Sequence, residues 1–546
     1  MNYQSDSLFP SKGRSPLRVL IVAEERIHFG ETDNGFSLSE LINKALIPST
    51  MPWEDLRITT ARRFDDEDHC ADITNFKFEA GAFGIEKYDQ VWLFGDLQED
   101  EPGQPPQELA ESELAVLSQF MNLGGGVFAT GDHASLGFAL CGRVPRVRSM
   151  RKWCFKFCPS GDLKAPGIVD TTRLDTLRQG IDPGFQFNDQ SDDVPQEIRP
   201  KFYPDMNGRD AHPHPLLIGG DFAITVLPDH MHEGECVIPK KLDEVIKFGG
   251  MVFDEYPSLL NTDVRLGPEV VAISTSAGGH LLSVFSEDIP PVEPRAFNTI
   301  VAYDGHRVLI DGKPIGRVAV DSSFHHFLDI NLKGTDSGDT RKRGFYDASG
   351  KPTKDYEAFK KYYRNIAQWL SPPTRRLEYY CAMLLDLRFR FPLIEEINPL
   401  PEPTYKDYIL AGTMTERAII DRFSRVEALQ CVLSLISVLP ESLRLILTSL
   451  LDPWQPLGLN ARIAHPFLDF APLAKLVMGA SILEIASALP ADRQSAGRRL
   501  NEIDHPSRAL ADIVSSGVNR SFALLPDMAS QLCRSANQLL EFLEAQ

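Results

Sequence analysis

The chain lacks an excess of positive charge, a long apolar run and any dense cysteine pattern. Its 546 residues carry 56 Lys and Arg against 76 Asp and Glu, for a formal net charge of −20. So acidic a chain repels phosphate, so neither nucleic acid nor an anionic membrane surface is expected as a partner. The most basic stretch, "RVPRVRSMRKW" (residues 143–153), reads as a solvated loop or helix face. The eight cysteines are scattered, and the opening "MNYQSDSLFPSKGRSP" holds no apolar segment of signal-peptide type. Reduced thiols and a cytoplasmic location are the expectation. Cys154 and Cys158 in "WCFKFCPSGD" have no second pair at zinc-ribbon spacing. The longest charge-free apolar stretch of the C-terminal part, residues 428–440, falls short of the roughly 18 residues needed to cross a bilayer, so no membrane span is expected. No G-x-G-x-x-G or Walker-type loop is present, which leaves the cofactor unknown, with a divalent metal as the class the residues would suit.

What is present is a chain of ordinary globular composition, 43% hydrophobic and 24% charged, long enough for two to four domains by the usual size of roughly 100–200 residues each. Residues 1–14 read as a flexible N-terminus. From residue 15 to 372 apolar strands alternate with amphipathic helices. "LRVLIVAEE", "LRITTARR", "YDQVWLFGD" and "GGVFATGD" are strand-like, "SLSELINKAL" is helical with Ser37 as its cap, and "ESELAVLSQFMNLGGG" is a helix stopped by glycines. This pattern predicts an α/β fold of flavodoxin-like type, a doubly wound, mainly parallel sheet covered on both faces. A Pro-, Gly- and Asp-rich region at about 142–212 reads as a large insertion. "FNTIVAYDGHRVLIDGKPIGRVAVD" suggests strands joined through Asp-Gly turns, and "DYEAFKKYYRNIAQWLSPP" a closing helix. From residue 373 to 546 Leu, Ile and Ala recur at helical spacing, which predicts a separate all-α domain for interaction or oligomerisation.

The candidate chemistry lies at strand ends, because ligands of open α/β sheets bind outside the carboxyl ends of the strands. In "NLGGGVFATGDHASLG" a strand runs straight into Asp132 and His133, where Asp132 could orient an imidazole, bind metal or cap a helix. "PDHMHEGE" puts His230, His232, Glu233 and Glu235 within one turn. An H-x-H pair in extended structure turns both rings to one side, which suits a metal held by His230, His232 and Glu235, or an acid/base pair of His232 and Glu233. "VDSSFHHFLD" adds His325 and His326, of which one should face the site, and His325 is preferred. Glu24, Glu25, His28, Asn34 and Asp96 fall at the same edge, where lone carboxylates are most often solvated or ion-paired. The catalytic candidates are Asp132, His133, His232, Glu233 and His325.

"LGGGVFATGDHASLG", "HPHPLLIGGDFAITVLPDHMHEGE" and "GRVAVDSSFHHF" together resemble the class I glutamine amidotransferase-like superfamily, and within it the trehalose-utilisation (ThuA-like) group; "NIAQWLSPP" is similar to that group's last helix. The resemblance spans about residues 15–372 with an unmatched middle, and implies the fold and a site at the sheet edge. Two departures bear on activity. His133 or a neighbour stands where glutaminase members carry a cysteine, and His326-Phe327 stands where the family's Pro-Glu would be, while Cys141 lies beyond the turn in a place suited to burial. The expectation is an intracellular enzyme of hydrolase or lyase type, acting on a small polar, carbohydrate-like substrate, and not a glutaminase. The alternative is a non-enzymatic small-molecule sensor or scaffold that forms a homo-oligomer or docks a protein partner through residues 373–546.

Overall fold

The computed structural model describes residues 16–47, 56–64, 70–97, 107–132, 135–153, 195–204, 211–219, 223–228, 234–260, 262–276, 295–334, 344–391, 394, 402–440, 443–444, 447–448, 452–454, 471–526, 530, 534 and 538. Strands β1 (Leu17–Ala23), β2 (Leu56–Arg62), β3 (Gln90–Phe94) and β4 (Gly126–Thr130) are the apolar runs read from the sequence. Every residue of β3 and β4 is buried, as parallel strands sandwiched between two layers must be. Helix α1 (Glu111–Asn122) connects them, and Gly124 at φ +102° lets the chain reverse into β4. Short helices α2 (Phe138–Cys141) and α3 (Val147–Met150) follow.

The next strands are β5 (Gln196–Pro200), β6 (Phe202–Pro204), β7 (Ala211–Pro213), β8 (Val226–Leu227), β9 (Val245–Phe248), β10 (Met251–Asp254), β11 (Glu269–Ser276), β12 (Arg295–Tyr303), β13 (Leu309–Ile310), β14 (Lys313–Pro314) and β15 (Val318–Asp321). One nine-stranded mixed sheet runs β2-β1-β3-β4-β15-β12-β11-β5-β8. It is parallel from β2 to β15 and antiparallel beyond. Strand β5 lies within the stretch read as an insertion, yet it pairs with β11 in this sheet. Of the two Asp-Gly turns, Asp311-Gly312 joins β13 to β14 with both residues at positive φ, while Asp304-Gly305 opens a 3-10 turn.

Two cores cover the sheet. One packs α5 (Lys354–Leu370) on Trp92, Phe94, Phe128 and Ala319; the other packs α1 on Val91, Leu93, Val127 and Val320. The alternation of Val127 and Phe128 between the two is the two-residue period of a strand. Between β15 and α5 lies α4 (Asp329–Lys333). From Pro373 the described chain is helical, with α6 (Pro373–Arg390), α7 (Tyr405–Arg422), α8 (Arg425–Leu435), α9 (Ala471–Ala488), α10 (Arg493–Asn501) and α11 (Pro506–Phe522). These helices build a core of their own from Leu377 onward. Gly412 and Gly479 allow α7 and α9 to touch backbone to backbone, since a Cβ on Gly479 would lie 1.8 Å from the Tyr408 carbonyl oxygen. Helix α9 is the one described helix long and apolar enough to cross a membrane, and 61% of it is buried inside the protein.

Candidate functional site

The carboxyl ends of β1 and β3 are tied by two carboxylates. Glu24 follows β1 and accepts the N–H groups of Asp96 at 2.7 Å and Leu97 at 2.8 Å through Oε2. Asp96 follows β3 and accepts the N–H groups of Glu25 at 3.2 Å and Arg26 at 2.6 Å. Each side chain therefore caps the neighbouring strand's end. Gly95 lets the turn after β4 lie directly on this clamp, since a Cβ there would meet the Gly137 Cα at 2.6 Å. Lone carboxylates here were expected to be solvated or ion-paired. Both are buried; Asp96 is ion-paired with Arg26 at 3.9 Å, while the Glu24 Oε1 atom has no hydrogen-bond partner among the described residues. Burial, reinforced by Asp96, pushes the Glu24 carboxyl up to about 8. Burial pushes Asp96 up to about 6 against the opposing pull of the Arg26 N–H.

Beside the clamp, β4 ends at Asp132. Ser323 Oγ donates to its Oδ1 at 3.1 Å, and His325 Nε2 lies 3.3 Å from its Oδ2. Arg151 Nη2 donates to the Asp132 carbonyl at 2.7 Å and to the Ser322 carbonyl at 2.7 Å, pinning the ends of β4 and β15 together. Helix capping, one of the roles considered for Asp132, falls elsewhere, because α2 begins after Gly137 at φ +95°. His325 and His326 sit in a 3-10 turn rather than in a strand, and they still diverge. The His325 Nδ1 atom is 2.9 Å from Asn331 Oδ1, and its ring packs at 4.9 Å on Phe324 and at 6.1 Å edge-on to Phe36. His326 turns inward and is fully buried, with Nδ1 at 2.5 Å from Asp321, whose other oxygen accepts the Tyr362 hydroxyl at 2.6 Å. His325 therefore faces the sheet edge, and His326 belongs to the core.

Four of the candidate residues, His133, His230, His232 and Glu233, lie outside the described residues. Of the proposed metal donors only Glu235 is described. Its carboxylate is ion-paired with Lys152 at 2.6 Å, so a metal would compete with that ammonium group. Gly234 packs against the Ser322 carbonyl so closely that a Cβ would approach within 1.9 Å. Among the described residues no group of three or more His, Cys, Asp and Glu could hold a metal ion. Asn34 shapes its own loop, accepting the Thr32 hydroxyl and the Phe36 N–H. The Cys141 thiol is buried, and burial followed by the nearby Glu24 pushes it well above its ordinary value, which keeps it from acting as a thiolate. The described edge thus joins Glu24, Asp96, Asp132, Ser323, His325 and Asn331.

Ser323, Asn331 and Arg151 were not among the sequence candidates. Arg146 and Arg151 correct the reading of residues 143–153 as solvated, because both are buried. Arg146 donates to Asn122 and to the Glu255 carbonyl; Arg151 also lies over the Trp153 ring at 4.7 Å. The available signal was Val147, Met150 and Trp153 interleaved with the arginines at three-residue spacing, which marks a segment with one buried side. No protein-family model matches the chain, and no curated protein matches it.

Proposed function

We propose that this protein is a hydrolase- or lyase-type enzyme acting on a small polar, carbohydrate-like substrate at the carboxyl edge of its sheet. The observation that carries the reading is the Asp132–His325–Asn331 array. It holds a part-exposed imidazole with a polar side chain at each ring nitrogen, an arrangement suited to proton transfer or to stabilising developing charge. Asp132 and Asn331 act as positioning residues, and the Ser323 hydroxyl is spent on Asp132 and on the His325 N–H. His232 and Glu233 are proposed as the acid/base pair and His133 as a further charge-stabilising or metal-binding group; no metal-dependent step is drawn through Glu235, which Lys152 engages. The buried, protonated Cys141 speaks against a glutaminase. The strand order β2-β1-β3-β4-β15 with all ladders parallel supports a flavodoxin-like core of amidotransferase-like type, in which β1 and β3 form the switch point where ligands dock.

A panel of nitrophenyl glycosides and sugar-acid esters, assayed between pH 5 and 9, tests this reading. The expected result is turnover by the intact chain and a loss of about a hundredfold or more in kcat for His325→Gln and Asp132→Asn. Unchanged kcat in both variants refutes the residue assignment. No turnover across the panel refutes the substrate class.

A further inference from the structure

A cavity of about 350 Å³ lies at the other end of the sheet, where the amino end of β15 meets helices α6 and α8. Its size is at the lower end of small-molecule sites, roughly 300–1,000 Å³. Trp369 and Trp454 contribute aromatic walls, and both are buried. Three acids line it, and each is already paired. Asp304 holds Arg317 at 2.7 Å and Arg307 at 3.2 Å, Asp452 holds Arg307 at 3.2 Å, and Glu269 accepts the Lys201 ammonium and the Tyr203 hydroxyl, both at 2.7 Å.

Two lining guanidinium groups remain without a carboxylate among the described residues. Among the described residues, Arg376 bonds only to the neutral Gln430 Oε1, at 3.0 Å, and Arg444 makes no side-chain bond. Burial and the neighbouring Arg317 push Arg376 down to about 10, against the opposing pull of Tyr380, Asp304 and Glu427. Neutral donors are also unused. His214 is 3% exposed, and its Nδ1 accepts the Leu216 N–H at 3.2 Å, so the ring proton sits on Nε2, which bonds to no described residue. The imidazole is held neutral by burial and by Arg317. Ser434, 4% exposed, has a hydroxyl without a partner among the described residues. A cavity walled by indoles and lined with surplus donors and surplus positive charge is complementary to an acceptor-rich anion with an apolar body.

We propose that this cavity is a binding site for a small organic anion, a carboxylate or phosphate monoester carried on a ring-sized apolar body, with Arg376 and Arg444 on the anionic group and the two tryptophans on the body. The ligand bridges the α/β part and the helical part, because His214 and Trp369 belong to the first and Arg376, Ser434 and Arg444 to the second. The site is separate from the carboxyl edge, and its test does not depend on turnover.

Isothermal titration calorimetry of the full chain with benzoate, phenyl phosphate and neutral benzamide tests it. The expected result is saturable one-to-one binding of benzoate or phenyl phosphate, whichever of the two binds naming the anionic group. Arg376→Gln and Arg444→Gln should each weaken it at least tenfold, with Ser434→Ala weakening it severalfold. Arg444→Gln and Ser434→Ala guard against a folding defect in the Arg376 variant, and circular dichroism verifies that each remains folded. Absence of binding by both anions at millimolar concentration overturns the proposal. So does benzamide binding as tightly as the anions, or undiminished binding in folded Arg444→Gln.

Discussion

The two ends of the central sheet bury opposite surpluses. At the carboxyl end, Glu24 and Asp96 are buried side by side, with the Arg26 guanidinium 3.9 Å from Asp96, and burial pushes both toward the protonated form. At the amino end, Asp304 is surrounded by Arg317 and Arg307 and held far below the usual carboxylate range, while Arg376 and Arg444 are left over. The difference follows from what each end has to satisfy. Strand termini present backbone N–H groups, which carboxylates accept, whereas the seam with the helical part joins side chain to side chain. An uncompensated acid can take up a proton near neutral pH; an uncompensated guanidinium cannot discard one and needs an anion. The first end is therefore suited to proton transfer and the second to ligand binding.

The seam should be the more fragile end. Asp304→Ala leaves two arginines facing each other without their shared carboxylate and should cost about 3–5 kcal/mol in guanidinium unfolding. A cost below about 1 kcal/mol would break the comparison at that end. Tyr362→Phe, in the core behind the carboxyl edge, removes the hydroxyl bond to Asp321 and should cost about 1.5–3 kcal/mol, with the largest effect on the His326 ring resonance. An unshifted His326 resonance would show that the Asp321 network does not hold the ring.

The smallest effect is expected for Glu24→Gln, which keeps an acceptor oxygen for the two N–H groups and should cost less than about 1 kcal/mol at pH 6. Its signature is the pH profile. The folded Glu24 holds its proton up to about 8, against 4.5 when unfolded, so the folded state binds more protons between those values and stability falls as pH rises across them. Thermal midpoints measured from pH 5 to 9 should fall for the intact chain and fall less for Glu24→Gln. Asp304 has the reverse sign, because its lowered value gives stability that is lost on acidification. Identical profiles for the two Glu24 forms would show that this carboxyl does not govern the upper limb.

Much of the first half of the sheet was legible in the sequence. Leu17–Ala23, Gln90–Phe94 and Gly126–Thr130 are apolar runs closed by turn residues, and α1 and α5 have the spacing and caps of surface helices. The positions of Asp132 and His325 were legible because they follow such runs within a few residues. Strand β5 was not, because a short mixed strand such as "QEIRP" in a Pro- and Asp-rich stretch has no period of its own and gains its place by pairing with β11. The burial of Glu24, Asp96, Arg146 and Arg151 was equally hidden, since charged residues read as exposed unless their partners are known. His214 shows the same limit. It lies in the stretch "HPHPLLIGGDFAITVLPDHMHEGE" quoted for the family resemblance, and its ring is at the seam, on Trp369 at 5.2 Å.

Composition and periodicity by themselves determined the class of architecture, an α/β part followed by helices, and the strand ends at which acid and imidazole emerge. Those are local properties, set by the spacing of apolar residues and by the turns that interrupt them. Only the tertiary structure decided which of two adjacent histidines faces outward, which carboxylates lose their solvent, and that arginines from residues 376 and 444 line one cavity with a histidine from residue 214. Each of these depends on neighbours far away in the chain. A charge's energy is governed by the groups and the water around it, and these exist only once the distant segments have packed.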